Sequence, residues 1–400
     1  MSTTSYYLYQ KYISVDGGEP TPAYPAEYSY DGEGTMPPVV KEQYDTECGQ
    51  VDTYRWVDTD DFICEETYSS QYLTIESLED NNTIYWKYDI SGYSARTISV
   101  STDDGETWTS YTSTSGGSGT TIATLNNGDK LLIKGQNNTY RINTFNSTKQ
   151  FKVYGNIMSL VSGDTFENAD TLTNIATFSR LFNGATGLVD AENLVLPATT
   201  LTSNCYEAMF LRCTSLTTAP ELPATTLAQS CYYAMFYGCT SLTTAPALPA
   251  TTVASNCYQN MFNGCSSLTT APQLPATTLA DYCYSNMFDG CTSLTTAPAL
   301  PATTLAYECY YGMFNGCISL TTAPALPATT LANGCYGYMF YACTSLDYIK
   351  CLATDISANS CTVNWVLSIA SSGTFVKSSS MNNWTRGSSG IPNNWTVQNA

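Results

Sequence analysis

At 400 residues the chain has room for two or three domains, and with 12% charged residues, 31 Tyr and a net charge of −19 it is acidic, aromatic and sparingly charged. Only 15 Lys and Arg stand against 34 Asp and Glu, which argues against the clustered cations that bind nucleic acid or an anionic membrane surface. The chain has no histidine, so the serine triad and histidine-dependent metal or acid–base schemes are closed to it.

Residues 1–68 are rich in Pro, Tyr and acid and show no hydrophobic period. Within residues 1–110 there are 21 Asp and Glu but only 5 Lys and Arg. Such a segment cannot build a core of its own and is expected to order against a partner, as an anchor. The start, MSTTSYYLYQ, carries no basic flank, apolar run or cleavage site, and no stretch of 18 apolar residues occurs. The expectation is a protein that needs neither a secretion signal nor a membrane span.

From 69 to 155 the runs YLTIESL, TIYWKYDI, RTISVS, TIATL and DKLLIKG alternate apolar and polar residues between Asn, Gly and Ser. This predicts an all-β, sandwich-like domain. Ser101 to Trp108, STDDGETW, fits the pattern SxDxGxTW, in which Asp and Gly close a hairpin turn and Trp packs beneath it. It resembles the Asp boxes of sialidase-like proteins. There the box is structural, and this chain has no arginine cluster of the catalytic kind. Ser14 to Thr21 and Ser29 to Gly34 are weaker echoes.

From 156 to 370 a 26-residue phrase dominates. Leu196, Leu222, Leu248, Leu274, Leu300 and Leu326 each open LPATT, and each copy contains CYxxMF. A unit this short cannot bury its own apolar side chains, so stacked copies must share a core, in a solenoid. Cys231, Met235 and Cys239 recur at i, i+4 and i+8 with Tyr232 and Phe236 beside them. This spacing predicts a short helix with those five on its inner face and Gln229, Ser230, Tyr233, Ala234 and Tyr237 on the opposite arc. SLTTAP and LPATTL read as two short extended steps, each interrupted by Pro. Divergent copies close the array: Leu181 and Phe182 fill the Met-Phe slots upstream, with Thr177 and Ala185 in the Cys slots, and Cys361, Trp365, Val366 and Ile369 fill slots downstream. Residues 371–400 are a C-terminal cap.

The sixteen cysteines lack the CxxC spacing of a zinc site and have no histidine to join them. Partners on neighbouring helices would stand too far apart for disulfides. They read as small buried hydrophobes, as Thr177 and Ala185 in the same slots suggest. Cys48 and Cys64 fall outside the repeat and have no such reading. With no phosphate loop, GxGxxG or nucleophile elbow, no enzyme, cofactor or metal is expected.

The phrase MFxGCTSLTTAP followed by LPATT resembles the BspA-like class of leucine-rich repeats over roughly residues 170–370. That class occurs in surface proteins of Bacteroides and its relatives and in fibre-like virion proteins of the phages, crAss-like ones included, that infect them. The resemblance implies a mixed α/β solenoid of leucine-rich-repeat type in 26-residue units, preceded by the sandwich-like domain. Together with the missing export signal it implies a phage head or tail fibre, assembled in the host cytoplasm and exposed on the virion. Residues 1–68 would dock on a capsid, collar or tail protein, the likeness to fibres suggests a homotrimer, and the solenoid would meet a host-surface glycan or protein. A bacterial cell-surface adhesin and a virion decoration protein without an external ligand are the alternatives.

Between copies the inward residues hardly change, whereas the outward arc varies through Tyr233, Tyr237, Gln259, Asn260, Tyr282, Asn286, Asp289, Tyr307, Glu308, Tyr311, Tyr338 and Tyr341. Tyr with Asn, Ser and Gly is the mixture that binding loops favour, so these twelve are the candidate ligand contacts.

Overall fold

The computed structural model describes residues 53–55, 63–65, 68–88, 95–115 and 119–400. The chain divides between Gln71 and Tyr72 into two units. The described parts of the first are an antiparallel pair, β1 (Thr53–Arg55) and β2 (Ile63–Glu65), and a 3-10 turn at Tyr68–Ser70. The rest of the expected anchor, with both weak Asp-box echoes and Cys48, lies outside the described residues.

The second unit opens with the expected strands. These are β3 (Leu73–Ser77), β4 (Asn82–Tyr88), β5 (Thr97–Ser101), β6 (Thr109–Thr112), β7 (Thr114–Ser115), β8 (Thr120–Leu125), β9 (Lys130–Gly135), β10 (Asn143–Ser147) and β11 (Phe151–Asn156). They form two sheets. β4 pairs with β10 on one edge and with β8 and β7 on the other, while β6, β5, β9, β3 and β11 follow one another across the second sheet. Period-two alternation sends Ile84 and Trp86 of β4, and Leu131 and Ile133 of β9, into a common core.

The Asp box forms the β5–β6 hairpin turn. Asp103 accepts from the Ser101 hydroxyl at 2.6 Å and from the Thr107 amide and hydroxyl at 2.9 and 2.5 Å, and Trp108 Nε1 donates back to the Gly105 carbonyl at 3.0 Å. Trp108 packs against Tyr72, with the Lys134 ammonium 3.9 Å from its ring centroid.

The only α-helix among the described residues is α1 (Ser159–Ser162), which precedes the repeats. The expected helix in each repeat is absent. Its nine residues instead form a chain of four-residue turns, each with one residue in the left-handed region. In the first copy these are Asn204, Ala208 and Arg212, with φ of 59°, 53° and 60°. Alternate amides bond locally and across. Those of Glu207, Met209, Leu211 and Cys213 donate to the carbonyl three residues back, whereas those of Tyr206, Ala208, Phe210 and Arg212 donate to Cys231, Tyr233, Met235 and Tyr237 of the next copy.

The reason is one of width. Strands lie about 4.8 Å apart, whereas packed helices need about 8–10 Å. The TTAP and LPATT steps of successive copies form parallel bridges, Thr244 to Thr270 to Thr296 and Thr252 to Thr278 to Thr304, so the third side must match a strand-like spacing. A helix would also keep its amides to itself, and nine residues fall short of the ~12 that a helix needs in isolation. The mixed α/β expectation is therefore corrected: the repeats consist of β-bridges and turns, in a chain of strands with one short helix.

The same turns account for the i, i+4, i+8 burial. Cys231, Tyr232, Met235, Phe236 and Cys239 are all buried, as expected, because every four-residue turn brings the same pair inward. The opposite-arc assignment fails at two positions. Ala234 is 2% exposed, and Ser285, an outward position of a later copy on the same expectation, is 1% exposed.

Two aromatic columns run through the core. Tyr206, Tyr232, Tyr258, Tyr284, Tyr310 and Tyr336 stack at 5.7–6.2 Å, and Phe210, Phe236, Phe262, Phe288, Phe314 and Phe340 at 5.5–5.8 Å. At the upstream end Tyr140 and Phe145 extend them, and both lie against Trp86. At the downstream end both meet Trp365.

The strand side is likewise continuous with its neighbours. β12 (Leu188–Asp190) and β13 (Leu194–Val195) pair in parallel with β11, and Asp190 then bridges to Thr218 of the first TTAP step. At the other end Thr322 bridges to Tyr348 of β14 (Tyr348–Cys351), which pairs with β15 (Thr374–Lys377) and then β16 (Thr396–Asn399). Open ends of a repeat stack expose core and unpaired strand edges, and the β-region and the last 30 residues cover them.

All fourteen cysteines from Cys205 to Cys361 are unpaired and buried, as the buried-thiol reading expects. Their roles differ. The second Cys of each copy donates Sγ–H to a Phe carbonyl one coil back, Cys239 to Phe210 and Cys265 to Phe236 at 3.1 Å each, which Ala or Val could not do. Burial pushes the Cys231, Cys283 and Cys351 thiols up to about 12.

Candidate binding face

The twelve candidate residues all lie on the turn side, in columns of equivalent positions 26 residues apart. Tyr233, Gln259 and Tyr311 share one column, Tyr237, Asp289 and Tyr341 a second, and Asn260, Asn286 and Tyr338 a third. Asn260, Tyr282, Asn286, Glu308 and Tyr338 occupy left-handed turn positions, with φ between 47° and 58°, a conformation that suits Asn better than most residues. Tyr307 is the most open at 41% exposure, and the other eleven are half-buried.

The structure gathers them into two groups. In the middle coils the amides interlock: Asn263 Nδ2 lies 3.3 Å from Asn260 Oδ1 and 3.5 Å from Asp289 Oδ2, and Asn260 Nδ2 lies 3.4 Å from the Tyr233 hydroxyl. Gln259 accepts from Asn256 Nδ2 at 2.5 Å. Desolvation raises the Asp289 carboxyl, opposed by hydrogen bonds from Asn315 and Asn263. In the later coils the group is aromatic. Tyr282 meets Tyr307 edge-on at 5.2 Å, and Tyr311, Tyr338 and Tyr341 form a chain with centroids 5.4 and 5.9 Å apart. Tyr233 and Tyr237 stand three coils from Tyr311 and do not join it.

Sequence reasoning passed over Asn263, Asn315 and Asn364, and it placed Asp281 on the outward arc without counting it among the candidate contacts. Asp281 Oδ1 accepts from the Tyr307 amide at 3.1 Å, and Asn364 Nδ2 donates to the Tyr338 hydroxyl at 3.2 Å. Reading each column through all its copies, rather than selecting the varied residues, was the signal that finds Asn263 and Asn315.

Electrostatically the face is neutral to acidic. Residues 213–349 contain no Lys or Arg, but they contain Glu221, Asp281, Asp289, Glu308 and Asp347. Among the described residues no group of three or more Cys, Asp and Glu is placed to hold a metal ion, and no helix is long and apolar enough to cross a membrane.

No protein-family model matches the chain, and neither the curated proteins nor the solved structures include a match to it.

Proposed function

We propose that this chain is a non-enzymatic phage virion appendage, a head or tail fibre, whose stacked coils form a leucine-rich-repeat-type solenoid displayed for adhesion to the host surface. Residues 1–68 dock on a capsid, collar or tail protein, the chain assembles as a homotrimer, and the turn side meets a host glycan or protein. The supporting observation is the split between the two sides of each turn. Tyr, Met, Phe and both Cys repeat through six coils, while the outward positions of the same turns change from coil to coil toward Tyr, Asn and Gly. Such residues give rigid contact area with adaptable hydrogen bonds. The absence of cations from 213 to 349 supports a ligand other than nucleic acid.

The test uses assembled particles. A chain lacking residues 1–68 should fold but not join the particle, and the Tyr233→Ser, Tyr237→Ser, Tyr307→Ser, Tyr311→Ser quadruple variant should join it but adsorb poorly to host cells. Incorporation without residues 1–68 removes the docking role. Adsorption lost on replacing Thr243 and Thr244 rather than the tyrosines moves the contact to the strand side. A protein found on bacterial cells and never in purified particles favours the adhesin alternative.

A further inference from the structure

We infer that Tyr311, Tyr338 and Tyr341 form a platform on which a neutral pyranose ring stacks. This inference rests on the turn side being the host-facing side. It begins with Gly337, the residue equivalent to Tyr311 one coil on. A Cβ at Gly337 would stand 3.0 Å from both Cδ2 and Cε2 of Tyr311 and 3.1 Å from Val363 Cγ1, so close that the Tyr311 ring would have to shift by a few tenths of an ångström. Glycine there lets the Tyr311 ring lean across the gap and lie against the next coil. Tyr233, in the same column, has Gln259 at the equivalent place one coil on and meets that coil through its hydroxyl, 3.4 Å from Asn260 Nδ2.

The neighbouring rings are also held. The Tyr338 ring sits 5.4 Å from that of Tyr311, tilted by 52°, and its hydroxyl accepts from Asn364 Nδ2, whose own Oδ1 accepts from the Ser388 hydroxyl at 3.2 Å. Tyr341 continues the row at 5.9 Å. Rings fixed before binding lose little entropy when a ligand arrives.

The chemistry of the occupant follows from contact and charge. Adjacent rings touch one another, which leaves no room for an ammonium group between them, as an aromatic cage requires. A ligand must lie on the outer ring faces, which suits the apolar C–H face of a pyranose. Burial, Tyr338 and then Glu308 raise the Tyr311 phenol, which puts the Glu308 carboxylate near this row, where it is hydrogen-bonded to the Tyr307 hydroxyl. The carboxylate can accept from sugar hydroxyls. With that carboxylate close by and no Lys or Arg from 213 to 349, an acidic sugar is repelled and a neutral one is not.

The experiment presents the purified full-length chain to an array of neutral oligosaccharides and their sialylated counterparts, with host-cell adsorption measured in parallel. Neutral glycans should bind and sialylated ones should not. Tyr311→Ser and Tyr338→Ser should each weaken neutral-glycan binding about tenfold, the effect of losing one good aromatic contact. Gly337→Ala should weaken it while keeping all three tyrosines, and Ile175→Ser, at an exposed residue upstream of the six copies, should leave it unchanged. Equal binding by wild type, Tyr311→Ser and Tyr338→Ser overturns the platform, and so does a preference for sialylated glycans. Cell adsorption without binding to any neutral glycan overturns the platform alone, whereas failure of the chain to adsorb at all removes the host-contact reading beneath it.

Discussion

Replacing four glycines by alanine separates the turn ladder from a helix by the sign of the effect. Gly238, Gly264, Gly290 and Gly316 occupy the same slot in successive coils with φ of 71°, 75°, 72° and 69°. Added methyl groups would meet their nearest neighbours at 3.5–3.7 Å, which is ordinary contact, so sterics between coils contribute little and the backbone decides the outcome. An alanine in the left-handed region costs about 1–2 kcal/mol, offset by about 0.4–1 kcal/mol from the stiffer unfolded chain. The net is roughly 1 kcal/mol lost per site, so about 4 kcal/mol is the additive value for the quadruple variant, from which contact between the stacked sites shifts it because each added methyl group lies 3.6–3.7 Å from the glycine one coil back at three of the four sites. In a helix the same substitutions would each gain about 0.5–1 kcal/mol. Ala342, at φ 57° in the same column, shows that the chain tolerates the strain one coil at a time. Urea unfolding followed by circular dichroism on wild type, the single Gly264→Ala variant and the quadruple variant reads the difference. A lower midpoint that falls further with each added alanine is expected. A raised midpoint would refute the turn ladder.

The thiols from Cys205 to Cys361 should resist iodoacetamide in the folded protein and all react once it is denatured, and mass spectrometry that finds intrachain disulfides among them instead would contradict the buried-thiol core. Trp365→Ala removes the plate against which both aromatic columns end and frees the Gly390 carbonyl that its Nε1 bonds at 2.9 Å. A loss of about 3–5 kcal/mol is expected, with hydrogen exchange rising first in the last coils because each coil leans on its neighbour. Hydrogen bonds from Ser101 and then Thr107 lower Asp103 from 3.8 to about 2, so its contribution is present above about pH 4 and is lost as the pH falls toward 2. Asp103→Asn should flatten that part of the melting-temperature profile, and an unchanged profile would deny the carboxylate its role in the turn.

The repeat phrase alone determined which side chains are buried. Cys231, Tyr232, Met235, Phe236 and Cys239 had to face inward because they recur at i, i+4 and i+8 without change while the positions between them vary from copy to copy, and Thr177 and Ala185 marked the Cys slots as sites for small residues. The Asp box was equally legible, since Ser101, Asp103, Gly105 and Trp108 satisfy one another within eight residues. The backbone beneath the repeat was not. Over nine residues a period of four and a period of 3.6 drift apart by only about 80°, so both bury the same five positions. Glycine at 238, 264, 290 and 316 and asparagine at 256, 260 and 286 marked the left-handed positions, but what excludes the helix is the strand spacing of the two other sides, which appears only when the coils are stacked. Tertiary structure also decided that β11 runs on into the repeat ladder and that Tyr311 lies against Gly337 while Tyr233 reaches the next coil through its hydroxyl, at Asn260. Both depend on contacts between residues 26 or more apart, and local propensity carries no record of those contacts.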